Sequence, residues 1–253
     1  MLVKDVKVRD VPRIEVGRDI IDALCIMYMN QERCLPVFNG DKLSGTICIA
    51  DYVKALQSRN SGNSELMNVE EIMCPRVITC SPNTLIEQVI DRLCEKSVYS
   101  VPILSGHEFK GVIRREDVLS HFKELIRGKF KVKDVMSYNV STNSIHDTLE
   151  QIGEKIFSGI DRRIVIMDEV MIQGSLTIHD LANVLLAEEG HLSNLEVKDI
   201  LIPNPASVSR CDDASIAVDK MLEWGVGGIP VRDQKLEGMV RDKDILQRIP
   251  VIL

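Results

Sequence analysis

The strongest constraint on this chain is an internal repeat. Four segments open alike, VKDV at Val3, VEEIM at Val69, VKDVM at Val132 and VKDIL at Val197, at spacings of 66, 63 and 65 residues. Thirty-three residues after each opening Val stands Pro36, Pro102, Val165 or Pro230, within CLPVF, SVPIL, RIVIM and GIPVR. Eight or nine residues further on comes Gly45, Gly111, Gly174 or Gly238, and six after each of these comes Asp51, Asp117, Asp180 or Asp244. A fixed period of this length means one supersecondary unit copied four times. Each copy is too small to bury enough apolar surface alone, so the copies must pack on one another.

Local patterns give the unit a shape. In the second copy Leu85, Ile86, Val89, Ile90, Leu93 and Cys94 fall on one face of a helix, and Asn83 or Thr84 can cap it. The short apolar runs VPIL and KGVI read as two strands joined by the turn SGHEF. A second helix follows the Asp, as in DVLSHF. Each repeat is therefore β-α-β-β-α, and the chain is α+β. The repeats are expected at 1–58, 69–125, 132–187 and 197–253, in two sequential pairs, 1–125 and 126–253. The segments 57–68 and 187–194 read as Ser/Asn/Gly-rich linkers within the pairs, and the basic stretch 123–133 as the joint between them.

Composition narrows the function classes. With 253 residues, 45% apolar and 27% charged, the sequence is of ordinary globular type, and its net charge of −7 argues against nucleic acid as the main partner. No apolar run approaches the ~18 residues of a membrane span. The start, MLVKDVKVRDVPRIEV, lacks the apolar core of a signal peptide, so a cytoplasmic protein is expected. The seven cysteines are scattered and no C-x-x-C occurs, which predicts small buried thiols rather than a disulfide framework or a zinc site. No nucleophile–base pair, metal constellation or phosphate-binding Gly loop stands out, so no catalysis is implied.

The endings GTICIAD, GVIRRED, GSLTIHD and GMVRDKD (45–51, 111–117, 174–180, 238–244) resemble the CBS domain, named for cystathionine beta-synthase. The resemblance covers essentially the whole chain, and the four copies leave no length here for a barrel, channel or kinase domain. It implies a stand-alone protein of four CBS repeats, in which each pair packs its two repeats sheet against sheet and the pairs join, within the chain or through a dimer, into a disc. It also implies a regulatory binder of adenosine-containing ligands, AMP, ADP, ATP or S-adenosylmethionine, in clefts between paired repeats. No cofactor is required; the adenine nucleotide is a regulatory ligand, read by an unknown effector protein. A homodimer is open. A membrane partner is not expected.

The resemblance carries over residue by residue. The motif Asp holds the ribose hydroxyls: Asp180, Asp244, Asp117 and Asp51. A Ser or Thr three residues earlier meets phosphate or ribose, which only repeat 3 supplies, as Thr177. A basic residue two or three before the Pro position meets phosphate: Arg163, with Arg162 beside it, and Arg33 in repeat 1. Repeats 2 and 4 carry Arg114 and Arg241 in place of the Ser or Thr. Each either binds phosphate or crosses to a carboxylate and fills an empty site. Repeat 1 has Cys48 there, a poor phosphate ligand. The adenine side is assigned to Val140, Ser141 and Thr142, to Ala206, Ser207 and Val208, and to Thr79 and Cys80. Each of these also reads as a core strand residue. In repeat 1 the same place holds Ile14-Glu15-Val16, where Glu15 would repel a phosphate.

A bland reading competes at every site. Thr177 and Asp180 also form a capping box, and an Asp in a first turn suits the helix dipole. Gly225, Gly227 and Gly228 resemble part of a dinucleotide fingerprint, but a helix precedes them and a strand follows, so they end that helix. The five Lys/Arg of 123–133 read as a solvated joint. The competing functional class is a protein-interaction scaffold with partly degenerate sites.

Overall fold

A computed structural model describes residues 1–58, 67–95, 98–157, 163–187, 195–203 and 206–253. Repeat 1 runs β1 (Ile14–Glu15), α1 (Ile20–Asn30), β2 (Cys34–Asn39), β3 (Lys42–Cys48) and α2 (Ile49–Ser58). Repeat 2 contributes α3 (Val69–Ile72), α4 (Ile86–Glu95), β4 (Ser100–Ser105), β5 (Glu108–Arg114) and α5 (Arg115–Ile126). Repeat 3 holds β6 (Thr142–Ser144), α6 (Leu149–Phe157), β7 (Arg163–Asp168), β8 (Met171–Thr177) and α7 (Ile178–Ala187). Repeat 4 has α8 (Val197–Ile200), α9 (Ala214–Trp224), β9 (Gly228–Arg232), β10 (Leu236–Arg241), α10 (Asp242–Leu246) and α11 (Ile249–Ile252).

The α+β repeat read from the sequence is present four times. Each Pro-position strand pairs antiparallel with the strand that follows it. The first strand joins its other side in parallel: β1 on β2, β6 on β7, and single bridges Cys80–Ile103 and Val208–Val231 in repeats 2 and 4. The amphipathic face of α4 behaves as its spacing predicts, with Ile86, Val89, Ile90 and Leu93 all at most 1% exposed. Leu85 precedes that helix and stands exposed. Gly225 takes a left-handed φ of 63° at the end of α9, a helix stop and not a phosphate loop. The expected linkers 57–68 and 187–194 lie largely outside the described residues.

The opening segments do not stay with their own repeats. The N–H of Val3 donates to the carbonyl of Thr84 ahead of α4, while Val69 donates to Arg18 ahead of α1. Val132 donates to Asp212 ahead of α9, and Val197 to Asp147 ahead of α6. All four opening valines are completely buried. Three of the segments then run along the hairpin of the repeat they have joined, with reciprocal backbone bonds between Arg9 and Val112, Cys74 and Thr46, and Ser137 and Met239. The motif glycine makes room for them. A Cβ at Gly111 would lie 2.3 Å from the Arg9 carbonyl oxygen, and one at Gly238 would lie 2.5 Å from that of Ser137. Repeats 1 and 2 thus trade openings, and so do repeats 3 and 4.

The chain forms two compact units. Unit 1 consists of 1–11, 78–139 and 206–253, so it joins the body of repeat 2 to that of repeat 4. Its single core runs from Val3, Ile86 and Ile113 to Val218, Val231 and Ile245, with α5 packed on α9 and α10. Unit 2 consists of 12–77 and 140–205 and joins repeat 1 to repeat 3, with α2 packed on α7. Ala182 and Leu185 of α7 enter the core of repeat 1 beside Ile49 and Val53. These units cut across the expected pairs 1–125 and 126–253, although each of those pairs does trade its openings. The physical reason is that the helix after the motif Asp buries its apolar face against the equivalent helix two repeats away. Among the described residues, no helix is long and apolar enough to cross a membrane.

Candidate functional site

The four motif aspartates share one local role. Each lies in the first turn of a helix and accepts the backbone N–H three residues earlier: Asp51 from Cys48 at 2.8 Å, Asp117 from Arg114 at 2.9 Å, Asp180 from Thr177 at 2.7 Å and Asp244 from Arg241 at 3.1 Å. That is half of a capping box, so the bland reading holds for one carboxylate oxygen in every repeat. Function then depends on what surrounds the rest of each carboxylate.

The strand register places those surroundings. The last residue of the second hairpin strand lies directly opposite the first residue of the Pro-position strand, or the equivalent residue in each repeat. The opposed pairs are Arg163 with Thr177, Ser100 with Arg114, Gly228 with Arg241, and Cys34 with Cys48. The Arg of repeats 2 and 4 therefore occupies the same corner as Arg163 of repeat 3, reached from the other strand. Three repeats thus carry an Arg at this strand-end pair, three residues from the motif Asp in repeats 2 and 4 and opposite Thr177 in repeat 3. Counting across the hairpin turn would have revealed this; counting along one strand did not.

Repeat 3 assembles the expected chemistry most fully. Thr177 donates its hydroxyl to Asp180 Oδ2 at 2.7 Å, the oxygen that also takes the Thr177 N–H, and neither bond uses Oδ1. Arg163 Nη1 donates to Ser175 Oγ at 2.7 Å. His179 comes between Thr177 and Asp180 and went unnoticed in the sequence. Burial, and the positive charges of Arg33 and Arg163, push its pKa down to about 3, so the imidazole is neutral at pH 7. Arg33 of repeat 1 and Arg163 of repeat 3 thus act on one residue of unit 2. Ser141 gives its carbonyl to the Val165 N–H, Thr142 pairs with Val165, and Val140 and Ser141 are half-buried. Arg162 lies outside the described residues.

In repeat 2 the motif Asp is surrounded by ion pairs, and Arg114 pairs within its own repeat instead of crossing to the motif Asp of the partner repeat. Asp117 is 3% exposed. Its Oδ1 accepts Arg9 Nε at 2.5 Å, and its Oδ2 lies 3.6 Å from Arg114 Nε. Arg114 Nη2 pairs with Glu116 at 2.9 Å, and Tyr99 donates its hydroxyl to the same carboxylate at 2.6 Å. Arg9 arrives on the traded opening segment, far outside the motif. Asp117 and Arg114, both expected as ligand residues, thus belong to an ionic network with Arg9, Glu116 and Tyr99. Thr79 supplies its carbonyl to Arg92, and Cys80 is buried in the core, its thiol pushed up to about 11 by burial.

In repeat 4 burial raises the pKa of Asp244, against the pull of its bond from Arg241. Val208 is a core residue at 2% exposure, while Ser207 gives its carbonyl to Lys220 Nζ at 2.5 Å. Two expectations for repeat 1 change. Glu15 lies opposite Phe38 and accepts the Gly40 N–H at 3.2 Å, by the hairpin turn and at the far end of the strand from Cys34. And Cys34 and Cys48 are joined in a disulfide, against the expectation of free thiols throughout. The antiparallel register sets the two face to face, which their separation in sequence conceals.

Comparison with known proteins bears on the fold. The curated homoserine O-acetyltransferase of Methanohalobium evestigatum is 26% identical over 118 residues, 46% of this chain and 23% of that protein. Protein MJ1225 of Methanocaldococcus jannaschii is 30% identical over 131 residues, 48% of this chain and 47% of that protein. The matched segments thus span less than half the length of both relatives. The crystal structure of MJ1225 superposes with a TM-score of 0.86 at 22% identity, covering 98% of this chain and all of that one. An uncharacterized conserved protein from Pyrococcus horikoshii follows at 0.69 and 16%, with both chains fully covered. The CBS domain profile itself matches residues 3–58, 69–124 and 197–251, and the chain belongs to the CBS domain family.

Proposed function

We propose that this chain is a regulatory protein that binds an adenosine-containing ligand, AMP, ADP or ATP, and does no chemistry on it. The observation that carries the reading is the junction of β7, β8 and α7, where Arg163, Thr177 and Asp180 bring a cation, a hydroxyl and a carboxylate to one corner. A carboxylate oxygen accepts ribose hydroxyls, and a guanidinium fork matches phosphate oxygens. Val140, Ser141 and Thr142 would face the base. Asp244 with Arg241 forms a second candidate in repeat 4, and Asp51 with Arg33 a third in repeat 1. S-adenosylmethionine shares the ribose and is the alternative ligand. MJ1225 has been described as a candidate archaeal homologue of g-AMPK, which supports a regulatory role. Binding would bias the arrangement of the repeats, and an effector in the cytoplasm would read it.

Calorimetry with AMP, ADP, ATP and S-adenosylmethionine tests this. Saturable heat lost in Asp180→Ala is the expected result. No heat and no thermal shift with any of the four would sink it, and would favour the scaffold reading, to which the ionic network of repeat 2 already lends support.

A further inference from the structure

We propose that the Cys34–Cys48 disulfide is a redox latch on the helix pair of unit 2, and that it acts through that pair on the ligand site of repeat 3. The ligand part rests on the function proposed above; the latch itself does not. Cys34 opens β2 and Cys48 ends β3, so the bond closes the hairpin at the corner where repeat 3 carries Arg163 and Thr177. Both residues are partly exposed, within reach of a reductant. Cys80 and Cys94 differ: both are buried, and burial pushes each thiol up to about 11, which makes them inert.

The residues that follow the latch lead to the other repeat. The N–H of Ile49, next to Cys48, donates to the carbonyl of Arg33, next to Cys34. Ile49 starts α2 and packs in one cluster with Ile178, Ala182 and Leu185 of α7. The start of α7 also carries His179 and Asp180. A change at the hairpin end therefore passes through one apolar contact layer to the repeat 3 corner.

The chemistry balances with a dithiol as the reductant. Its thiolate attacks one sulfur of the pair, forms a mixed disulfide and expels the other cysteine as a thiolate, which takes a proton. The second thiol of the reductant then displaces the first cysteine. Two electrons and two protons pass to Cys34 and Cys48, and the reductant leaves as a cyclic disulfide. Reduction leaves Cys48 as a weak S–H donor where Thr177 gives its hydroxyl hydrogen to Asp180.

The test uses the full chain, oxidised with glutathione disulfide or reduced with dithiothreitol. Alkylation after denaturation should leave Cys34 and Cys48 unlabelled in the first state and label all seven cysteines in the second. Amide hydrogen exchange at 49–52 and 178–182 should rise severalfold on reduction. The double variant Cys34→Ser/Cys48→Ser should match the reduced protein and ignore dithiothreitol. A missing Cys34–Cys48 cross-linked peptide under oxidising conditions, or identical exchange at 178–182 in both states, overturns the latch. Nucleotide affinity that differs between the states supports its action on the site, and equal affinity overturns that action. Binding in neither state sinks the ligand reading alone, and the exchange result still decides the latch.

Discussion

Arg115 and Asp242 hold the same register position in two repeats, two residues before the motif Asp, and pair with each other at 3.3 Å in unit 1. The equivalent position in unit 2 is Ile49 in repeat 1 and Ile178 in repeat 3, which share an apolar cluster. One site in the repeat thus carries a matching code: charge meets opposite charge, and isoleucine meets isoleucine. Pairing repeat 2 with repeat 1 or 3 through this helix would set a buried charge against an apolar side chain, at a cost of several kcal/mol.

That code predicts a double-mutant cycle. Arg115→Ile or Asp242→Ile alone should destabilise the protein by about 3 kcal/mol, because the partner charge stays behind, largely buried. The double variant, which copies unit 2, should recover most of the loss. Urea unfolding midpoints measure it; additive losses would refute the code.

The ionic network of repeat 2 predicts a division of labour between aspartates. Asp117→Ala should lower stability by about 1–3 kcal/mol, since Arg9 and Arg114 lose a charged partner, yet leave nucleotide stoichiometry unchanged. Asp180→Ala should do the opposite, weakening binding about tenfold or more with little change in melting temperature. Calorimetry and thermal unfolding on the two variants separate the roles.

Two glycines with left-handed backbones should respond unequally to alanine. Gly106, at φ 63°, has open space around it and should lose only about 1 kcal/mol. Gly111, at φ 122°, would set its new methyl against the Arg9 carbonyl and push the traded segment off the hairpin. Its loss should exceed about 2 kcal/mol, read from thermal unfolding.

His179 predicts a pH dependence. Its folded pKa, about 3, lies below its ordinary 6.5, so the unfolded chain binds the extra proton between those values. Stability should therefore fall as pH drops from 6.5 towards 3, by at most about 1.4 kcal/mol per unit from this group. Asp244, raised by burial, works the other way, favouring the folded state as pH falls towards and below its own value. His179→Gln should flatten the slope of unfolding midpoint against pH over that window; an unchanged slope would count against the assignment.

Much of the fold was legible in the sequence because Val, Pro, Gly and Asp recur at spacings that mark strand ends and helix starts. What those spacings cannot carry is which copy a segment packs on. Val3 reads the same whether it anchors its own helix or that of repeat 2, since burial of a valine is non-directional. The candidate site was legible in the motif spacing, through Asp180, Thr177 and Arg163. It was hidden across the strand, where Cys34 meets Cys48 and Arg114 takes the corner of Arg163. Arg9 lay beyond any motif, since only the trade of openings brings it to Asp117.

The trade of openings also bears on synthesis and inheritance. Residues 1–11 are made about a hundred residues ahead of Val112, so their place on the hairpin of repeat 2 does not yet exist when they are synthesised. The body of repeat 1 likewise waits for Cys74 before its sheet edge is covered. No single copy is self-sufficient, so a gene that gained or lost one repeat would leave one opening without a seat and one hairpin bare. Viable duplications and deletions in such a lineage should come in twos.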